Sequence, residues 1–226
     1  MKTVVVVSAI VAVMFALAWA IIMPETHSWR QKLTLVVETP GGEVTGSSVV
    51  EVRMDYYSGG QIMSGTEVHY DLTGEAAVVE VLPGRYLFAL MGDSEELFFR
   101  AAKDQFKGMT RGEWLREMPG QTELVTLTDD LIPMLVTFDD ITKPETVQLV
   151  EPTGLTAVFG EGVRLKAVTL EITREAVTEG RVEGALRWLC SYTNPHRRLS
   201  GKSGAIFDNE LSNRLGPGSF STGGCK

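Results

Sequence analysis

Residues Val79–Leu90 read VEVLPGRYLFAL. Two β-branched, aromatic and aliphatic runs flank Pro83-Gly84, so Ala76–Leu82 and Arg85–Met91 are expected to form the two strands of a hairpin. The same pattern extends upstream. Lys32–Glu38 alternates, with Leu33, Leu35 and Val37 on one face, and Thr39-Pro40-Gly41-Gly42 is a turn signal. Val44–Asp55 alternates again through Val50, Val52 and Met54. Tyr56–Gly65 is rich in Gly and Ser and reads as a loop. Glu67–Leu72 then sets Val68 and Tyr70 against Glu67, His69 and Asp71. At least five short strands punctuated by turns over residues 32–92 imply a β-sandwich-like domain.

Helical insertions are expected at 93–120. Asp93-Ser94-Glu95-Glu96 has the form of a capping box, followed by Leu97, Phe98, Ala101, Ala102 and Phe106 at helical spacing, with Gly108 as the stop. Thr110-Arg111-Gly112-Glu113 is a second capping box, leading to Trp114, Leu115 and Met118 before Pro119-Gly120. Residues 121–190 return to strand character at Leu124–Leu127, Met134–Phe138, Val147–Val150 and Val163–Thr173. In the last of these the alternation slips at Ala167-Val168, which implies a bulge. Pro152–Phe159 reads as a short helix. A longer one is expected over Arg181–Leu189, with Val182, Leu186 and Leu189 on one face. Residues 191–226 have the composition of a partly ordered tail. Asp208–Leu215 supplies one or two helical turns there, and the last eight residues are expected to be mobile.

The N-terminal stretch Val4–Met23 contains twenty residues without charge, Pro or Gly. As a helix it would be about 30 Å long, the thickness of a bilayer's hydrocarbon core. Pro24 ends it, and Trp19 and Trp29 lie near its outer end, where indoles favour the interface. This predicts a single-pass signal-anchor at residues 1–23, a juxtamembrane linker at 24–31, and residence in the inner membrane with the C-terminal domain in the periplasm. Ala16-Leu17-Ala18 and Ala18-Trp19-Ala20 keep a cleaved signal peptide, and thus a secreted soluble protein, as the alternative. The continuation of the apolar run through Trp19–Met23 favours the uncleaved anchor. Lys2 on one flank and Arg30, Lys32 and Glu25 on the other leave the positive-inside balance nearly tied.

The 226 residues carry 21 basic and 29 acidic side chains, a net charge of −8, which argues against nucleic acid as a partner. Fold class is accordingly expected to be mainly β (α+β), an N-terminal transmembrane helix preceding the β-rich domain.

Two resemblances add to this. The hairpin Val79–Leu90 resembles the closing hairpin of transthyretin-like and carboxypeptidase-regulatory-like sandwich domains, which mostly bind or brace. WRQKLTLVVETPGGEVTGSSVVEV at 29–52, PMLVTFDDITKPETVQLV at 133–150, GVRLKAVTLEITREAVTEG at 162–180 and LRWL at 186–189 are similar to a family of bacterial single-pass membrane-anchored proteins of unknown function. That resemblance implies an anchor and assigns no catalytic residue.

The chemistry-bearing residues are few. There is no G-x-S-x-G, H-E-x-x-H or C-x-x-C motif, and the histidines are His27, His69 and His196. Gly201-Lys202-Ser203 matches the end of a phosphate-binding loop, but His196 stands where the loop needs its first Gly. Asp139-Asp140 follows a strand. As metal ligands or an acid/base pair they would have to share a face, which adjacent strand residues do not, so a turn-capping role is expected. Asp129-Asp130 is read the same way, and His69 as an exposed residue. His196-Arg197-Arg198-Lys202 is expected to be a solvated turn, with phosphate or an acidic partner as its functional reading. Cys190 and Cys225 are either a bridge or two separate thiols. No catalytic or metal-binding residue and no cofactor is therefore assigned. The expectation is an envelope protein that binds or braces a protein partner. An envelope hydrolase using Asp139, Asp140 or His69 is the rival.

Overall fold

The structure is a computed structural model and describes residues 25–57, 67–121, 123–192, 197–202 and 210–223. The anticipated anchor Val4–Met23, most of the loop before Glu67, His196, Ser203 and Cys225 lie outside the described residues. Among the described residues no helix is long and apolar enough to cross a membrane.

The chain is mainly β, with two antiparallel sheets. The strands are β1 (Glu25–Thr39), β2 (Gly42–Tyr57), β3 (Glu67–Thr73), β4 (Ala77–Leu82), β5 (Arg85–Ala89), β6 (Val125–Thr126), β7 (Leu135–Phe138), β8 (Val147–Val150) and β9 (Arg164–Thr173). The first sheet has the order β3-β2-β1-β9-β6 and the second β4-β5-β7-β8. The helices are short: α1 (Ser94–Ala101), α2 (Arg111–Glu117), α3 (Leu155–Phe159), α4 (Arg181–Ala185) and α5 (Leu211–Arg214).

Two compact units divide the chain. One holds residues up to Ser28 together with Arg53–Asp71; the other holds Trp29–Val52 and everything from Leu72 onward. The smaller unit carries polar ladder contacts, with Thr26 Oγ1 donating to Asp55 at 2.7 Å and Arg53 3.6 Å from Asp55.

The larger unit holds most of the core. In β1 the buried face runs Trp29, Gln31, Leu35, Val37, so the alternation starts well before Lys32. Residues 25–31, expected as a linker, are strand. Gln31 is tolerated inside because its amide is satisfied: Nε2 donates to the Ser94 carbonyl at 2.7 Å and Oε1 accepts from Trp29 Nε1 at 3.2 Å. β1 runs antiparallel to β9 from Arg30↔Thr173 to Glu38↔Arg164. The register slips opposite Val36 and Val37, where β9 passes from Ala167 to Leu165 and leaves Lys166 over. The anticipated bulge is there, one residue earlier than the alternation placed it.

The sheets pack closely at Gly46 in β2. A Cβ there would lie 2.1 Å from the Val78 carbonyl oxygen and 2.7 Å from the Val79 Cβ. Val79 and Leu87 pair across β4 and β5 and are buried on that inner side. Alternation sends Val78 and Phe88 to the opposite face. That face is not solvated. Phe88, Val136, Phe138 and Val147 meet Val182, Leu186, Leu189, Leu199, Leu215 and Phe220 in one buried cluster. The C-terminal segment therefore forms a third layer. Residues 219–223, expected to be a mobile end, are tied into it: Phe220 is fully buried, the Ala76 amide donates to its carbonyl at 2.7 Å, and Ser221 bridges to Glu75.

Helix expectations fare unevenly. The Thr110–Glu113 capping box of α2 is present in both directions. The Asp93 box of α1 is not: Asp93 makes no side-chain cap, its φ/ψ of −71°/33° departs from the extended backbone of a cap, and the Glu96 amide that a cap would bind donates to the Asp93 carbonyl at 3.1 Å. Asp93 instead lies 3.8 Å from Arg100. The expected helix Arg181–Leu189 ends at Ala185, although its apolar face of Val182, Leu186 and Leu189 is buried as anticipated.

Gly46→Ala is expected to lose about 1–3 kcal/mol or more, since the clash is with backbone and cannot be relieved by a rotamer change. Gly184→Ala, in α4 with open space around its Cβ position, should be neutral or slightly stabilising. Urea unfolding of the two variants separates them. Phe220→Ala should cost about 3–5 kcal/mol by the same measurement, as a core residue must and a mobile tail residue could not.

Candidate functional site

β6 is only two residues long and pairs with β9 at Leu170 and Thr169 alone. One more bond follows, from the Leu127 amide to the Val168 carbonyl at 2.8 Å. The outer edge of β9 from Arg164 to Ala167 thus has no strand neighbour among the described residues. An open groove of about 540 Å³ lies along it. Leu165, Ala167, Leu127, Ile132 and Pro152 give it apolar walls, and Asp129 and Glu151 stand at its rim.

The charges around this edge are unequal. Arg164 pairs with Glu38 at 2.7 Å, and Lys166 is drawn across the sheet to Glu43. Asp129 and Glu151 are exposed and have no ion-pair partner among the described residues. Asp129 is also the one described residue other than glycine with positive φ, at 50°. That conformation is sparsely populated, though Asp reaches it more readily than most residues. The groove is an open recess beside a stretch of β9 that has no strand neighbour among the described residues, with α3 packed against the same strand and residual negative charge at the rim.

A second cavity of about 260 Å³ is lined by Thr73, Gly74, Thr178, Glu179, Glu183 and Ser221, among others. Glu75 lies beside its lining residues and is 2% exposed. Its carboxylate accepts the backbone N–H groups of Arg181 at 3.0 Å and Val182 at 3.2 Å, the first turn of α4. Burial pushes its pKa above the ordinary carboxyl value, and the two amide donors and Arg181 only partly oppose this; the negative charge of Glu183 adds to the rise.

The residues singled out from sequence do not converge. Asp140 Oδ1 accepts from the Thr142 hydroxyl at 2.6 Å and amide at 3.0 Å, and Oδ2 lies 2.9 Å from Lys143. The Thr142 hydroxyl, Lys143 and the Thr142 amide together bring its pKa down to about 2. It is a turn-closing carboxylate, as the Lys143-Pro144 context suggests. Asp139 is exposed and accepts from Gln148 Nε2 at 2.5 Å. His69 is exposed, with Asp71 at 3.9 Å. Asp130 accepts from Arg100 at 2.9 Å. Arg197 lies over the Tyr192 ring at 4.9 Å, and Arg198 donates to the Arg214 carbonyl at 3.2 Å. Among the described residues no three His, Cys, Asp or Glu side chains are grouped so as to hold a metal ion. Cys190 is disulfide-bonded. Glu75 went unmarked in sequence; of the groove residues only Asp129 was singled out, as a turn-capping carboxylate, and here it lines the groove without an ion-pair partner among the described residues. The one available signal was a Glu between Gly74 and the apolar run of β4, where an exposed turn residue is the ordinary expectation.

A carboxyl that holds its proton more tightly in the folded chain adds stability at low pH and loses that contribution as pH rises past the ordinary carboxyl range. The stability advantage of the native chain over Glu75→Gln should therefore shrink as pH rises above the ordinary carboxyl range, about pH 4. An advantage that grows with pH in urea titrations would mean that the amide donors outweigh burial.

No protein-family model, curated protein or solved structure matches the chain.

Proposed function

We propose that this chain is an inner-membrane envelope protein, anchored once through Val4–Met23, whose periplasmic β-rich domain holds a protein partner rather than transforming a substrate. The observation that carries the binding role is the open groove along the unpaired edge of β9, where backbone groups and apolar side chains are left available together. The location is supported by the length and purity of the apolar run and by the disulfide at Cys190, since such bonds persist chiefly in oxidising compartments. A sandwich-like arrangement of the two sheets suits this role: it supplies a rigid frame and leaves strand edges at its margins.

The hydrolase reading finds less to stand on. Asp140 is committed to its own turn, Asp139 to Gln148, and none of Asp139, Asp140 and His69 lines a cavity described above. A general acid or nucleophile needs a partner group and a recess in which substrate can meet both.

The test is fractionation of cells producing the full chain, followed by chemical crosslinking in intact membranes and mass analysis of the isolated protein. The expected result is a membrane-bound chain of full mass. Its C-terminal domain should be open to protease in spheroplasts, and it should crosslink to one recurrent envelope protein. A soluble product shortened by about twenty residues, the length of a span, would remove the anchor. Recovery of the chain alone under crosslinking would remove the binding role.

A further inference from the structure

Resting on the binding role above, we infer that the partner is recognised through an extended, positively charged segment that adds as a strand to β9 alongside Arg164–Ala167. Strand addition needs an edge whose backbone is not already paired, and β9 has one immediately beyond the two-residue strand β6. It also needs room beside that edge, which the 540 Å³ groove supplies. Alternate side chains of an added strand would face the apolar wall formed by Leu165, Leu127 and Ile132.

Charge selects the occupant. The two cations of the edge are already neutralised, Arg164 by Glu38 and Lys166 by Glu43. The two carboxylates at the rim, Asp129 and Glu151, are not paired among the described residues. An incoming strand with Lys or Arg on its outward positions meets unpaired negative charge, and one with Asp or Glu there meets repulsion.

Proteins commonly guard an edge with a bulge and an edge lysine, and β9 has both in Lys166. Here the lysine lines the groove, but its ammonium group is paired with Glu43, so the guarding charge is neutralised. The bulge adds twist locally and leaves the recess along the strand.

The experiment uses the full chain in detergent micelles and a phage-displayed library of random peptides, each of about ten residues, the upper range of a natural strand. Selected peptides should alternate apolar residues with Lys or Arg. Methylating two alternate backbone nitrogens of a selected peptide should weaken binding by about tenfold or more, as expected from lost main-chain hydrogen bonds. Asp129→Asn, which keeps a residue suited to the positive φ at 129, combined with Glu151→Lys should weaken the basic peptide by a similar factor and favour its acidic counterpart. Both positions are exposed, so folding is spared, and circular dichroism checks this. Binding unaffected by N-methylation, enrichment of acidic or helically spaced peptides, or no enrichment at all would overturn the inference. So would a chain dimer held through this edge, detected as blockage of the groove in sedimentation-matched binding assays. If any of these occurs while a partner is still crosslinked in membranes, the binding role stands and only its placement fails. If no partner is crosslinked either, the role itself fails.

Discussion

One buried carboxylate holds three parts of the larger unit together. Glu75 sits at the entrance to β4 and is 2% exposed. Its side chain takes the first two amides of α4, its carbonyl takes the Ser48 hydroxyl of β2 at 2.6 Å, and its backbone bridges to Ser221. Burying a carboxylate is unfavourable unless hydrogen bonds replace water. Two backbone donors do so here, and they are donors that the start of a helix leaves unmatched in any case. One side chain thus resolves two desolvation problems. The cost that remains shows in the raised pKa of Glu75.

With that anchor in place the C-terminal segment has little freedom. Ala76 holds Phe220 and the Gly74 carbonyl accepts the Thr222 amide at 2.9 Å, so the chain end runs beside the start of β4. Phe220 then reaches the rings of Phe88 and Phe138, edge-to-face with the first at 5.8 Å and tilted against the second at 5.9 Å. Such contacts add about 0.5–1.5 kcal/mol per pair beyond burial. The second sheet is therefore covered on both faces, which explains why β7 is buried at all four positions and shows no alternation.

Strands were legible in sequence where one face is apolar and the other polar. β1, β2 and β4 alternate, and turns with Gly or Pro separate them. The bulge in β9 was legible as a slip in the same alternation. What period and punctuation do not carry is pairing between distant segments. β9 beside β1, and Phe220 under Phe88, are contacts over more than a hundred residues. Residues 219–223, expected to be mobile, were misread for the same reason: their Ser, Thr and Gly content resembles a loop, and Phe220 alone makes no periodic face. Helix caps were legible where the backbone is extended at the cap, as at Thr110, and misleading at Asp93, where it is not. The groove lay beyond reach because it is defined by an absence of pairing, which only topology reveals.

An unpaired edge that persists in a folded protein has to be reconciled with the tendency of edges to join. β3, at the opposite end of the first sheet, has a polar, partly exposed pattern with His69 and Asp71. β8, at the end of the second, is packed by α5. The edge of β9 is the one where a charge suited to guarding it is engaged elsewhere, in the pair between Lys166 and Glu43. An exposed pair of this kind contributes little stability, about 0–1 kcal/mol. Its more consequential effect is electrostatic: it neutralises the lysine that lines the recess and leaves the carboxylates of Asp129 and Glu151 to set the field there. Self-association through this edge would bring those carboxylates of two copies together, which opposes it. The same arrangement that discourages a second copy favours a strand of opposite charge, so selectivity and protection against aggregation follow from one distribution of side chains.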